Sequence, residues 1–150
     1  MINKYTNPLL SGKDCLIHDE FIPNMDMFCQ YLKLCGISAY INSSYRVNSN
    51  NLTGAVVKPA THSNHFVGYA IDCNLIDKKG TMWSSEAMKH PAFEILDFIN
   101  LIRRSPLLRW GGDFAAITDP ACDPVHFDYP LNINNPSHWQ EIYNELHPNQ

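Results

Sequence analysis

Apolar positions recur at helical spacing in three stretches of the chain. In residues 23–35, Met25, Phe28, Cys29 and Leu32 share one helical face, and Gly36 is placed to end the helix. In residues 92–104, Phe93, Leu96, Ile99 and Asn100 fall at core-facing spacing with Ile95 and Ile102 beside them. Pro91 opens that helix and Ser105-Pro106 stops it. In residues 136–147 the stripe is Trp139, Ile142, Tyr143 and Leu146. Elsewhere the period is two, the signature of strands with one face on a core. Ile37, Ala39 and Ile41 alternate within 37–45; Tyr69, Ile71, Cys73 and Leu75 within 69–75; Val125, Phe127 and Tyr129 within 125–129. Residues 107–110 predict a further short strand broken by Gly111-Gly112, and 84–89 a helical turn. Residues 1–20 carry the turn signals Asn7-Pro8 and Ser11-Gly12 and predict an irregular arm. Residues 47–61 are polar and aperiodic, a loop expected to form one rim of a cleft. The order of elements predicts a single α+β domain over 1–150, with a mainly antiparallel sheet flanked by helices.

Composition narrows the partners. Hydrophobic residues make up 45% of the 150 positions, enough for one buried core. Charged residues are 17% and the net charge is −4, with no basic stripe, so no nucleic-acid partner is expected. The five cysteines include no Cys-x-x-Cys pair and are read as reduced, buried thiols. No apolar run approaches the ~20 residues of a membrane span. The first residues lack a basic region followed by an apolar run, so the expectation is synthesis in the cytoplasm without a signal peptide.

The polar faces of two of these strands hold the chain's most specific chemistry. Asp72 and His126 each lie opposite the apolar face of their strand, so pairing of the strands would bring them together. His65 stands seven residues before Asp72, an odd separation that would turn it to the other face of a continuous strand. A bend is therefore required, and Gly68 is the place for it. Two histidines and a carboxylate are a donor set for zinc, and three protein ligands with an open position suit a catalytic site. Ala70 leaves room beside the metal, and Asp123 adds a carboxylate three residues before His126. His62 and Cys122 are rival ligands by proximity, and Asp119 is a rival to Asp123.

The motif Ser63-x-His65-x-x-Gly68-x-Ala70-x-Asp72, followed by Asp123-x-x-His126-Phe127, resembles the D-alanyl-D-alanine carboxypeptidase and L-alanyl-D-glutamate endopeptidase family of zinc peptidases. That family includes vancomycin-resistance carboxypeptidases and phage endolysins. Ser43-Ser44-Tyr45-Arg46 resembles its upstream arginine motif, and 109–114 a segment of its endolysin branch. The resemblance implies the fold these enzymes share with the Hedgehog signalling domain. It also implies Zn2+ held by His65, Asp72 and His126, with His65 rather than His62 on the motif. Asp123 becomes the general base, and Arg46 the group that stabilises an oxyanion or holds a substrate carboxylate. Ser63, Tyr45, Trp110, Asp113 and His62 are the expected substrate contacts, with Asp113 also an acceptor that could orient a ligand histidine. Asp128 departs from the family's glutamate at that position, and the expectation for it is a supporting role around the metal ligands.

The implied function is hydrolysis of an amide bond in the peptide stem of peptidoglycan. Aspartate at 123 and the Trp-Gly-Gly-Asp run favour an endopeptidase of the L-Ala-D-Glu type, a lysin or delivered antibacterial toxin acting in the periplasm or on the cell wall. Delivery machinery or an immunity protein would be its further partners. Two alternatives stay open: a D-Ala-D-Ala carboxypeptidase or dipeptidase, and a non-catalytic, zinc-bearing binding module.

Overall fold

A computed structural model describes residues 1–47 and 62–148, so the expected cleft rim at 47–61 lies almost wholly outside the described residues. The described elements are β1 (Ile2–Tyr5), β2 (Leu10–Gly12), β3 (Cys15–His18), α1 (Ile22–Cys35), β4 (Ser38–Ser43), β5 (Ala70–Ile76), α2 (Ser85–Met88), α3 (Phe93–Arg104), β6 (Arg109–Trp110), β7 (His126–Asp128), α4 (Leu131–Asn134) and α5 (Pro136–Leu146). Single 3-10 turns at Asp19–Phe21, Asn64–Val67 and Gly111–Asp113 join some of them. The architecture is α+β. Five strands form a sheet in the order β2-β4-β5-β7-β6, with β2 parallel to β4 and every other pair antiparallel.

The apolar alternation decides which face of each strand is buried. Ile37, Ala39 and Ile41 are buried, as are Tyr69, Ile71, Cys73 and Leu75, and they join one core with Phe127 and Trp110. Helices α1 and α3 lie over this face. Phe28, Phe98 and Phe127 meet edge-on there with ring centroids 5.2–5.9 Å apart. Each such ring removes enough apolar surface from water to contribute about 1.5–3 kcal/mol, and each aromatic pair adds ~0.5–1.5 kcal/mol. Phe127 sits between His126 and Asp128 in the chain. Its burial pins β7 so that both neighbours are presented on the opposite face.

Helix α1 ends where expected, at Gly36, whose φ of 69° is the left-handed cap geometry that favours glycine. The stripe on α3 differs from the expected one. Ile95, Phe98, Ile99 and Ile102 are the buried set, whereas Phe93 is 82% exposed with φ of 53°. The positive φ at the first helical residue swings its side chain outward, and the true i, i+3, i+4, i+7 face begins two residues later.

The expected irregular arm at 1–20 is corrected. Strands β1 and β3 pair as an antiparallel ribbon, Ile2 opposite His18, and β2 joins the main sheet beside β4. Strands of three or four residues are too short to show a period, so the turn signals dominated the sequence. The ribbon supports the site directly. The Leu16 N–H donates to Ser44 Oγ at 2.9 Å, the Tyr45 N–H to Leu16 O at 3.0 Å, and the His18 N–H to Gly68 O at 3.0 Å. The short helix α4 was also absent from the sequence expectation. No described helix is long and apolar enough to cross a membrane.

Candidate metal centre

Strands β5 and β7 pair with Asp72 directly opposite His126, and Ala70 opposite Asp128. One sheet face therefore carries both candidate ligands. His65 arrives from the 3-10 turn Asn64–Val67, which Ser63 caps by accepting from the His65 N–H at 3.2 Å. The chain then bends at Gly68, with φ of 73°. A Cβ at Gly68 would also sit 2.5 Å from the His18 backbone nitrogen, so glycine is needed there both for conformation and for space.

Three donor atoms converge. His65 Nε2 lies 3.2 Å from His126 Nδ1, and each lies 3.3 Å from Asp72 Oδ1. Zinc bonds of about 2.0–2.1 Å at tetrahedral angles would separate such donors by about 3.3–3.4 Å. Asp72 Oδ1 is buried and has no hydrogen-bond partner. An anionic oxygen in that state is costly unless a cation satisfies it. The donor set, its edges and the orphaned oxygen together fit a zinc ion. Among the described residues no other group of histidine, cysteine or carboxylate side chains converges in this way.

The remaining nitrogen of each histidine is fixed by a partner. His65 Nδ1 donates to Ser44 O at 2.7 Å, which leaves the Nε2 lone pair toward Asp72. His126 Nε2 donates to Asp128 Oδ2 at 2.9 Å, which leaves Nδ1 for the same point. Asp128 in turn accepts a two-pronged contact from Arg109, Nε at 2.9 Å and the terminal nitrogen at 2.8 Å. Arg109 and Asn64, which sequence reasoning did not single out, thus enter the site through Asp128. A signal existed for Arg109: pairing of β6 with β7 sets it opposite Asp128.

These contacts set the charges. Burial pushes the His65 pKa down against the pull of Asp72. Burial also opposes charge on His126, but Asp128 and Asp72 outweigh it and raise its pKa. Asp72 and Asp128, despite burial, are held well below the usual carboxylate range, Asp72 by His65 and His126, and Asp128 by His126 and Arg109. Asp123 moves the other way. Burial first, and then the Asp72 charge, push its pKa up to about 6 against His126 and Arg46.

Asp123 is placed by a close backbone approach. Its N–H donates to Gly111 O at 3.0 Å, and its own carbonyl accepts from the His126 N–H at 3.1 Å. A Cβ on Gly111 would fall 2.2 Å from Asp123 O and 2.8 Å from the His126 Cβ. Gly111→Ala is therefore expected to displace both residues and to lower melting temperature by several degrees, as overpacking by 1–3 kcal/mol would. A thermal melt and a zinc titration check this.

The other expected site residues are placed as follows. Arg46, 11% exposed, has its guanidinium 3.8 Å from Asp72 Oδ2, and its buried Nε has no partner. Its N–H donates to His65 O at 3.1 Å, which fixes it beside the ligands. Trp110 is buried and donates from Nε1 to Pro124 O at 2.7 Å, holding the segment that carries Asp123. Asp113 is bound to Arg103 at 2.8 and 2.9 Å on an exposed surface, and the expected role of orienting a histidine falls to Asp128 instead. Ser63 is occupied as a cap. Tyr45 lies against His147, with ring centroids 5.9 Å apart. The exposed His62 packs on Trp139 at 4.9 Å and stands outside the ligand cluster. Cys122 and Asp119 also stand outside it. Cys122 Sγ points at Gly112 O at 3.6 Å, and Asp119 Oδ1 accepts from the Ala121 N–H at 2.8 Å.

Sequence comparison matches residues 57–129 to the family described as D-alanyl-D-alanine carboxypeptidase. None of the curated proteins searched matches the chain. Among solved structures, the chain is similar to the L-Ala D-Glu endopeptidase ChiX of Serratia marcescens at 14% identity. That similarity covers 77% of this chain and 82% of that one, with a TM-score of 0.43. The matched segment holds the three converging donors, Asp123, Arg109 and Asp128, and by it the chain resembles the D-alanyl-D-alanine carboxypeptidase family of peptidases.

Proposed function

We propose that this chain is a zinc-dependent peptidase that hydrolyses an amide bond in the stem peptide of peptidoglycan, most consistent with an endopeptidase. The observation that carries the reading is the triangle of His65, Asp72 and His126 donors with 3.2–3.3 Å edges. Zinc held by those three would polarise the scissile carbonyl and lower the pKa of water toward neutrality.

The chain's own residues account for the rest. Asp123, with its pKa pushed up to about 6, is ionised at neutral pH yet basic enough to accept a proton from the attacking water. The same carboxyl then returns the proton to the leaving amine. Arg46 is held in place by its backbone contact to His65, and its charge is only partly compensated by Asp72. It can donate to the carbonyl oxygen as negative charge develops there, or to a substrate carboxylate. The choice of endopeptidase rests on the aspartate at 123 and the Trp110-Gly111-Gly112-Asp113 run. Peptidoglycan lies outside the cytoplasm, so the site of action in this reading is the periplasm or the wall.

The test is mass spectrometry of purified peptidoglycan digested by the zinc-loaded protein, with Asp123→Ala as control. A new fragment ending at L-alanine is expected. Release of a single D-alanine would make the protein a carboxypeptidase. Zinc binding without any product, from sacculi and soluble muropeptides alike, would make it a binding module.

A further inference from the structure

We propose that Asn64 is a positioning residue that ties the two ligand histidines into one unit, a role that rests on the zinc-site reading above. The family motif leaves position 64 unspecified, between Ser63 and His65. In the structure Asn64 is 2% exposed, both donors of its side-chain amide are used and its oxygen accepts one bond. Its Oδ1 accepts from the Asn132 N–H at 3.1 Å. A backbone N–H can only donate, so this bond fixes which end of the amide is oxygen. The Nδ2 group must then face Asp128, and it donates to Asp128 Oδ2 at 2.9 Å and to Asn132 Oδ1 at 3.1 Å.

Asp128 is the carboxylate that holds His126. With Asn64, His126 and the two bonds from Arg109 it accepts four hydrogen bonds, three on Oδ2 and one on Oδ1. Asn64 is also joined to His65 through the backbone of the 3-10 turn, and its carbonyl accepts from the Tyr69 N–H at 2.9 Å. One residue thus sets the turn that carries the first histidine and the acceptor that orients the second. His65 and His126 come from segments 61 positions apart, and Asn64 links both at close range. Asn132 completes the link by donating from Nδ2 to His62 O at 3.0 Å, closing the entrance to the same turn.

Asn64→Asp is the sharpest variant. It keeps size and shape but turns the donor that faces Asp128 into an acceptor. Zinc affinity measured by chelator competition is expected to fall about 10–100-fold, the usual effect of losing a group behind a metal ligand. The visible absorption of the cobalt-substituted protein should change as the donors splay. Asn132→Ala lies nearer the surface and keeps the backbone N–H that holds Asn64 Oδ1 but removes the side-chain acceptor of Asn64 Nδ2 and the bond to His62 O, so it should shift affinity in the same direction by less. This keeps the test open if Asn64→Asp fails to fold. Paired with Asp128→Asn, the Asn64 effect should be mostly absorbed, because both act through one carboxylate. Zinc affinity within twofold of wild type in folded Asn64→Asp, or in Asn132→Ala if the first does not fold, would overturn the proposal. So would full additivity with Asp128→Asn. A wild-type chain that binds zinc and hydrolyses nothing would sink the peptidase reading and leave this role standing. A wild-type chain that binds no zinc would remove both.

Discussion

Asp123→Ala is expected to lower the rate of stem-peptide hydrolysis by about 10²–10⁴-fold, the range contributed by a positioned general base. Zinc affinity should stay within a few-fold of wild type, because Asp123 is not one of the three converging donors. The two readouts separate loss of the base from loss of the metal. Steady-state kinetics on a soluble muropeptide, beside chelator competition, would show which has occurred. The pH dependence carries a definite sign. Burial and Asp72 raise the Asp123 pKa to about 6, so activity should fall as pH drops through that region, where the base takes up its proton. A nearby dication pulls the value down, so about 6 is an upper bound for the acid limb in the zinc-loaded enzyme. An Asp123→Ala protein that retained the wild-type rate would remove this residue from the mechanism.

Asp128→Ala should have the second large effect, on stability and on metal together. Asp128 is 1% exposed and bonds His126, Arg109 and Asn64. Removing one partner of a buried ion pair destabilises by about 3–5 kcal/mol. Arg109 is partly exposed, so water recovers some of its loss and the lower end, ~3 kcal/mol, is expected. Zinc affinity should fall about 10–100-fold as the His126 ring loses its acceptor.

The metal-free protein gives a pH signature of the same pair. The Asp128 pKa is depressed in the folded state, so its contribution is present above its ordinary value of 3.8 and is lost as pH falls toward the folded one. The His126 pKa is raised, so its contribution is complete below its ordinary 6.5 and is lost as pH rises through the folded value. The difference in melting temperature between wild type and Asp128→Ala, with chelator present, should therefore be widest between about pH 4 and 6.5. A difference that is flat across pH 3–9 would mean the pair is not ionised as the contacts imply.

Much of this site was legible before any coordinates. Alternation around Asp72 and around His126 is a local property, and each side chain's face follows from its neighbours Ile71, Cys73 and Phe127 alone. The odd spacing of His65 demanded a bend, and Gly68 supplies it with a positive φ. The helix positions were legible for the same reason, since a run of ten or more residues displays its period. Where the signal was short or mixed, it failed. The three strands within residues 1–20 have three or four residues each, and the α3 stripe was read two residues early because Phe93 is apolar but turned to solvent.

Sequence by itself determined the candidate donors, their division between a bend and two strands, and the α+β order of elements. Those depend on residue type and on spacing within one segment. The convergence of His65, Asp72 and His126, with His62 and Cys122 outside it, came from the fold. Only the tertiary structure decided which groups stand behind the donors. Ser44 O reaches His65 because the β1–β3 ribbon holds residue 44 in place, and Asp128, which shares a strand face with His126, is itself held because β6–β7 pairing sets Arg109 opposite it and the turn before β5 brings Asn64 to it. Ser44 and His65, Arg109 and Asp128, and Asn64 and Asp128 are 19 to 64 residues apart in the chain. Their contacts exist only after the core has fixed the sheet register, and no local pattern of apolar and polar positions records them.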